Sequence, residues 1–244
     1  MDEEPRVSSR YLDGRYLEDN PTWHEEDAPE KAQWIAEMLA AHPEIDVKSI
    51  CDVGCGTGGV LESLQNHYGD RVRVVGFEPS VDAVRLALEK RPGVEIIERG
   101  PTPEDGPFDV AVVLDVFEHI ENFYAFLRGL HGLADNFIFH IPLDMTAFNV
   151  ARVQELIGIR ETLGHIHHFC PQTARASLEL TGFELVDERF TLVAGSLDRN
   201  QPLPVKVLRR VRRLGFKVSP DMTSRLIGGV SLLVLARSVG GPPA

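Results

Sequence analysis

No stretch of this 244-residue chain approaches the 18 or more consecutive apolar residues of a membrane-spanning helix. The amino end, "MDEEPR", is acidic and polar, so it lacks the pattern of a secretory leader. Both lacks set the expectation of a cytoplasmic protein with no transmembrane segment. Cysteine is scarce. The three thiols, Cys51, Cys55 and Cys170, cannot all pair, which suits a reducing compartment. Positive charge is in deficit, 25 basic against 37 acidic residues for a net charge of −12, which argues against broad nucleic-acid binding. There is no internal repeat, no low-complexity segment and no H-E-x-x-H metal spacing. The remainder, 43% hydrophobic and 25% charged, is ordinary for a globular chain and sets one large domain or one domain with additions.

Glycine is abundant in one place. In "ICDVGCGTGGV", residues 50–60, Gly54, Gly56, Gly58 and Gly59 follow a short apolar run. Each glycine costs about 0.5–1 kcal/mol of backbone entropy relative to alanine in a regular element. One would suffice for a turn, so four in six positions point to a ligand approaching the backbone.

The surrounding pattern shows what kind of turn this is. "DAPEKAQWIAEMLAAHPEI" predicts a helix capped by Asp27 with Glu30 three residues on. From residue 48 short apolar strands alternate with helices. The strands are "KSICDV", "RVRVVGF", "GVEIIE", "FDVAVVLDV" and "NFIFHI"; the helices between them are "GVLESLQNHY", "VDAVRLALEK" (capped by Ser80) and "ENFYAFLRGLHGL". Continuous apolar strands alternating with helices predict a parallel sheet covered on both faces. Beyond residue 145, "AFNVARVQELIGIRETLG" and "PQTARASLELTG" predict helices, and "FELVDERFTLVA" and "GVSLLVLARS" two more strands. The glycines thus lie between the first strand of the α/β pattern and its first helix, where doubly wound folds bind nucleotides.

The motif alone admits two ligands. Gly54, Gly56 and Gly59 satisfy the dinucleotide pattern G-x-G-x-x-G, and Glu78 after the second strand suits ribose hydroxyls. Asp52, just before the turn, would repel a pyrophosphate and tolerate a cation. S-adenosylmethionine carries a sulfonium and an amino group and no phosphate. In "ICDVGCGTGGVL", "VVGFEPS", "FDVAVVLDVFEHIEN" and "GHIHHFCPQTARASLELTGFELVD", spanning residues 48–190, the chain resembles the class I S-adenosylmethionine-dependent methyltransferases.

That resemblance implies a doubly wound, seven-stranded, mostly parallel α/β sheet whose last strand is antiparallel. It implies that Asp52, Gly54, Gly56 and Gly58 border the methionine end of the cofactor, and that Glu78 holds the ribose diol. Asp115 and Val116 would lie beside the transferable methyl group. Cys55 and Pro79, within the same stretches, complete the expected cofactor-binding set. The acidic residue that meets adenine stays open among Glu98, Glu104 and Asp105. For Asp115, capping the following helical stretch is a second, compatible role.

Methyl transfer is an in-line displacement that gains most from positioning, and a hydroxyl acceptor also benefits from a base. Histidine is the natural base near neutral pH. His140 ends the fifth strand, and His165 opens "GHIHHF", the stretch that the resemblance turns toward the substrate; both are the candidate catalytic residues. The expectation is no metal ion. The rival use of the histidines is a metal site in which His165 and His167 are joined by His140, Glu118 or Asp144. The stretch 199–217, with seven basic residues and no acidic one, is an amphipathic insertion. It is either a solvated face or a contact for an anionic substrate, with peripheral membrane contact by 206–217 as a further use.

The expected plan is a single methyltransferase domain, 1–244. Residues 1–46 form an N-terminal helical cap, 47–145 the cofactor-binding core, and 146–244 the substrate-side helices, last two strands and basic insertion. The expected function is methyl transfer from S-adenosylmethionine to a small molecule, at oxygen. The alternatives are an NAD-dependent oxidoreductase, a cofactor-binding methyltransferase-like protein without catalysis, and a macromolecule methyltransferase. Substrate identity and oligomeric state are not legible.

Overall fold

A computed structural model describes residues 25–192 and 203–240, with only the backbone of residues 203 and 204. The aromatic and histidine residues of the N-terminal segment (Tyr16, Trp23, His24) and the first residues of the 199–217 insertion lie outside the described residues.

The chain begins with helix α1 (Ala28–Ala41) and then alternates: β1 (Ser49–Val53), α2 (Gly59–Tyr68), β2 (Arg73–Phe77), α3 (Val81–Lys90), β3 (Glu95–Ile97), β4 (Phe108–Leu114), α4 (Phe123–Gly129) and β5 (Ala134–Pro142). Short helices α5 (Ala147–Ala151) and α6 (Val153–Thr162) precede α7 (Pro171–Leu180) and β6 (Phe183–Leu192). Helices α8 (Leu203–Val218) and α9 (Pro220–Leu226) lead to β7 (Val230–Ser238).

The seven strands form one sheet in the order β3-β2-β1-β4-β5-β7-β6. β1 to β5 pair in parallel, and β7 runs antiparallel to both of its neighbours, β5 and β6. The order reverses at β1, with β4 on its other side. The adjacent strand ends there diverge into a crevice.

Strand alternation builds a core on each face. Ala111, Val113, Phe137 and Phe139 pack on one side, with Phe117, Phe169 and Phe183. Val110, Val112 and Ile138 pack on the other, with Ile35, Met38 and Leu39 of α1 and Leu61 and Leu64 of α2. His140, two residues beyond Ile138 on β5, therefore faces the α1 side.

Three local differences from expectation have visible causes. Asp27 does not cap α1 with its side chain, because a 3₁₀ turn over Glu25–Asp27 runs into the helix and holds Asp27 at φ −90°, ψ −11°. The helix expected across 147–164 breaks at Arg152, which sits at φ −118°, ψ 64°. Its guanidinium lies over the Phe148 ring and pairs with Glu155. Helix α9 was not expected, although Ser219 caps it through the Met222 N–H and Pro220 opens it.

Candidate active site

A cleft of about 480 Å³ opens at the carboxyl ends of β1, β2, β4 and β5, in the range of ligand pockets. Its wall includes Asp52, Gly54, Cys55, Gly56, Glu78 and Pro79, and also Asp115, Val116, His140 and His165. One expected cofactor residue is not on that wall. Gly58 is the left-handed N-cap of α2, and a Cβ there would face Ile96, Ala87 and Val94.

The glycines divide their labour. Gly54 needs both its freedoms: φ is +75°, and a Cβ would lie 2.8 Å from Val116 Cγ2. Gly59 serves packing, since its Cβ would stand 2.9 Å from the Cβ of Ala28 at the start of α1. Gly56 turns its N–H to Glu78 Oε2 at 2.9 Å, while the Ser80 N–H donates to Oε1 at 2.8 Å. This two-point hold fixes the Glu78 carboxylate at the end of β2 and leaves a lone pair on each oxygen for a diol. Asp52 is buried, and burial together with the Glu78 charge pushes its carboxyl up to about 7.

The fourth strand end carries a network that the sequence did not disclose. Asp115 adopts φ +53°, unusual for a residue with a side chain. Its carboxylate takes Lys31 Nζ at 2.6 Å and the His140 Nδ1–H at 2.7 Å. Burial alone would raise this carboxyl, but His140 and Lys31 together hold it well below the usual carboxylate range. Trp34, one turn after Lys31 on α1, stacks on the His140 ring at 5.6 Å. His140 Nε2 lies 2.9 Å from the Thr191 hydroxyl. Both ring nitrogens of His140 are thus engaged within the fold. His140 also lines the cleft, beside the Asp115 carboxylate that it contacts. Lys31, Trp34 and Thr191 carried no motif. The amphipathic phase of α1 is the only signal that places Lys31 and Trp34 on one side.

A second polar group lies deeper, where the turn after β4 meets the loop before α7. The Glu118 carbonyl accepts the N–H groups of Ile166 and His167 at 2.9 and 3.1 Å, which docks that loop on the turn. His119 and His165 meet with ring centroids 4.9 Å apart. The His119 Nδ1–H donates to the Gly164 carbonyl at 3.0 Å, and the His165 Nδ1–H to Asp144 Oδ2 at 2.5 Å. Burial lowers His119 to about 3; burial also opposes the charge on His165, but Asp144 wins and raises it. His167 is pinned elsewhere, its Nε2 2.9 Å from the Ile120 carbonyl oxygen.

None of Glu98, Glu104 and Asp105 lines the cleft. Asp105 instead pairs with both terminal nitrogens of Arg99 and accepts the Thr102 N–H. The basic insertion splits. Arg212 reaches the cleft wall, donating from Nη2 to the Ile227 carbonyl at 3.2 Å, whereas Arg210 and Arg213 are exposed. Val207, Val211, Leu214 and Val218 are also exposed on α8. No helix among the described residues is long and apolar enough to cross a membrane.

A family profile described as a methyltransferase domain matches residues 23–188, more than half of the chain. Among curated proteins, a trans-aconitate 2-methyltransferase of Afipia carboxidovorans is 28% identical over 107 residues, 41% of each chain. A ubiquinone biosynthesis O-methyltransferase of Rickettsia felis is 30% identical over 109 residues, 43% of this chain and 44% of that one. The aligned part thus spans less than half the length of these relatives. Solved structures share the fold across more of the chain. The plantazolicin methyltransferase BpumL, in complex with S-adenosylhomocysteine, superposes with a TM-score of 0.61 at 15% identity, over 94% of this chain and 92% of that one. The cyclopropane synthase MmaA2 from Mycobacterium tuberculosis gives 0.54 at 17%, over 83% of each. At such identities the likeness shows the fold alone. The profile match, the strand order and the glycine turn followed by an acid at the end of β2 agree: this chain belongs to the class I S-adenosylmethionine-dependent methyltransferase family.

Proposed function

We propose that this protein transfers the methyl group of S-adenosylmethionine to an oxygen of a small, anionic molecule. The observation that carries the reading is the convergence of four strand ends on one cleft. They bring Asp52, the backbone-open glycine turn, the doubly held Glu78 and the Lys31–Asp115–His140 network around a single cavity. The cofactor supplies an electrophilic methyl on a sulfonium. Glu78 accepts the ribose hydroxyls, and Asp52 offers negative charge to the cationic methionine end. Asp115, fixed by Lys31 and His140, borders the sulfonium side. Most of the rate then comes from alignment of acceptor, carbon and sulfur.

His119, Asp144, His165 and Arg212 also line the cleft, and we assign them to its acceptor side. Arg212 offers a guanidinium whose buried Nε has no hydrogen-bond partner among the described residues, which suits a carboxylate on the acceptor. That the curated relatives include a ubiquinone biosynthesis O-methyltransferase supports oxygen as the acceptor, and the trans-aconitate 2-methyltransferase among them supports a small molecule. Their alignment covers too little of either chain to carry the substrate over.

Calorimetry with S-adenosylhomocysteine and with NAD tests the cofactor. Micromolar S-adenosylhomocysteine binding is expected, on the order of −8 kcal/mol. Glu78→Ala weakens it by about 1.5–3 kcal/mol through lost charge-assisted bonds. Binding of NAD in place of S-adenosylhomocysteine would overturn the proposal.

A further inference from the structure

Glu118 is fully buried, and neither of its carboxylate oxygens has a hydrogen-bond partner among the described residues. An uncompensated buried carboxylate costs several kcal/mol, so such groups are found paired, protonated or bound to metal. His119 Nε2 stands 3.8 Å from Oε1, too far for a hydrogen bond. It is close to the separation of two ligands that share one ion, roughly 3–3.5 Å at metal–ligand distances of about 2.0–2.2 Å.

The geometry continues in that direction. Glu118, His119 and His165 each present one donor atom, and all three atoms lie within 4.8 Å of one another. Each histidine donates its Nδ1–H away from the cluster, His119 to the Gly164 carbonyl and His165 to the Asp144 carboxylate. Those bonds place the lone pair of each neutral ring on Nε2 and fix ring orientation, as outer partners do for metal-binding imidazoles. The cluster has a covered side, where Glu118 is buried, and an open side, since His119 and His165 line the cleft.

We propose that Glu118, His119 and His165 hold one divalent transition-metal ion at the acceptor end of the cleft, with its remaining coordination positions open to an oxygen of the acceptor. Two imidazoles and one carboxylate select zinc, cobalt, iron or manganese over magnesium, which prefers oxygen donors. The assignment reverses the expectation of no metal. The role of the ion rests on the methyl-transfer reading, whereas its binding does not. In that role it polarises the bound acceptor hydroxyl, whose proton passes to water. The oxygen then forms the new C–O bond while the C–S electron pair returns to sulfur, leaving S-adenosylhomocysteine. His165 acts here as ligand, and its link to Asp144 orients it.

The test uses tag-free full-length protein, stripped with chelator and dialysed, then titrated by calorimetry with zinc, cobalt, manganese and magnesium chlorides. One zinc or cobalt ion per chain is expected, with magnesium at least 100-fold weaker. The cobalt form should show visible d–d absorption. Glu118→Gln and His165→Ala each lower zinc affinity at least 100-fold, and Asp144→Asn lowers it 10–100-fold. Each variant must still bind S-adenosylhomocysteine like the wild type, which shows that the fold is intact. No zinc or cobalt binding by the wild type at millimolar ion would overturn the site, as would unchanged affinity in both Glu118→Gln and His165→Ala. Loss of the methyltransferase reading would appear separately, as metal binding without S-adenosylhomocysteine binding.

Discussion

Asp52 shows how one buried side chain carries both recognition and a pH dependence. It lies next to the last residue of β1 with almost no exposure and shares its surroundings with Glu78, so its carboxyl is pushed up to about 7 by burial first and by that neighbouring charge second. Below that pH the ligand-free group is protonated. A cationic amino-acid end on the ligand favours the ionised form, so binding must release a proton there. The sign follows: S-adenosylhomocysteine affinity rises as pH climbs through about 7 and then levels off. It falls by up to tenfold per unit below. Calorimetry from pH 6 to 8.5 checks this, with Asp52→Asn expected to bind more weakly and with no such slope. A flat wild-type profile would remove Asp52 from the cation's surroundings. The residue type and its place before the glycines were legible in the chain. Its raised pKa was not, because that depends on Glu78 arriving from β2, 26 residues on.

At the scale of elements, α8 separates residues that the sequence sets together in one basic stretch. Residues 209, 210, 212 and 213 share one basic stretch, but a helix turns about 100° per residue and shows only one of its faces to the cleft. Arg212 is the one that reaches the wall, held by the Ile227 carbonyl and crowded by Gly229, where a Cβ would stand 2.8 Å from Arg212 Cδ. With an anionic acceptor, Arg212→Gln should raise KM about tenfold or more and leave S-adenosylhomocysteine affinity unchanged. Arg210→Gln and Arg213→Gln should leave KM within about twofold, since exposed charges are screened beyond about 8–10 Å. Steady-state kinetics with an authentic acceptor decides it: equal effects of all three would return α8 to a general electrostatic surface. Helix α1 is the second case. Its apolar phase predicted one buried stripe, and Ile35, Met38 and Leu39 supply it. The same helix also delivers Lys31 to Asp115 and Trp34 to His140. No periodicity marks those contacts, because their partners come from β4 and β5.

At the scale of the molecule, the cleft joins parts that are distant along the chain. Arg91 at the end of α3 reaches Glu25, Glu62 and the Thr57 carbonyl, at 3.2, 2.9 and 3.1 Å, and so ties the entry to α1, the glycine turn and α2 together. A ligand that bridges this assembly stabilises it as a whole. At one hundred times its Kd, S-adenosylhomocysteine should add about 2.7 kcal/mol. For a chain of this length that is a rise in Tm of roughly 5–10 °C. Differential scanning calorimetry measures it. Arg91→Ala should lower the unliganded Tm and keep most of the ligand-induced rise, because Arg91 itself does not line the cleft. A loss of the rise itself would place Arg91 in binding.

What the chain determined by itself is the alternation and its one exception. Apolar runs of strand length between amphipathic helices settle a parallel, doubly covered sheet, because each element's buried face is written in its own residues. Glycines with an acid on either side, at Asp52 and Glu78, mark where the sheet accepts a ligand, because backbone access and charge are local properties. Tertiary structure alone decided which polar side chains meet. The turn at Phe117–His119 and the loop around His165 are more than 40 residues apart, and they come together through the Glu118 carbonyl. It also decided that His140, at a strand end like Asp52, is clamped between Asp115 and Thr191. And it decided that Gly58, within the ligand motif, faces protein and that Gly59 packs against Ala28. A side chain's role at a site depends on distances set by the packing of elements remote in sequence, and no local pattern encodes those distances.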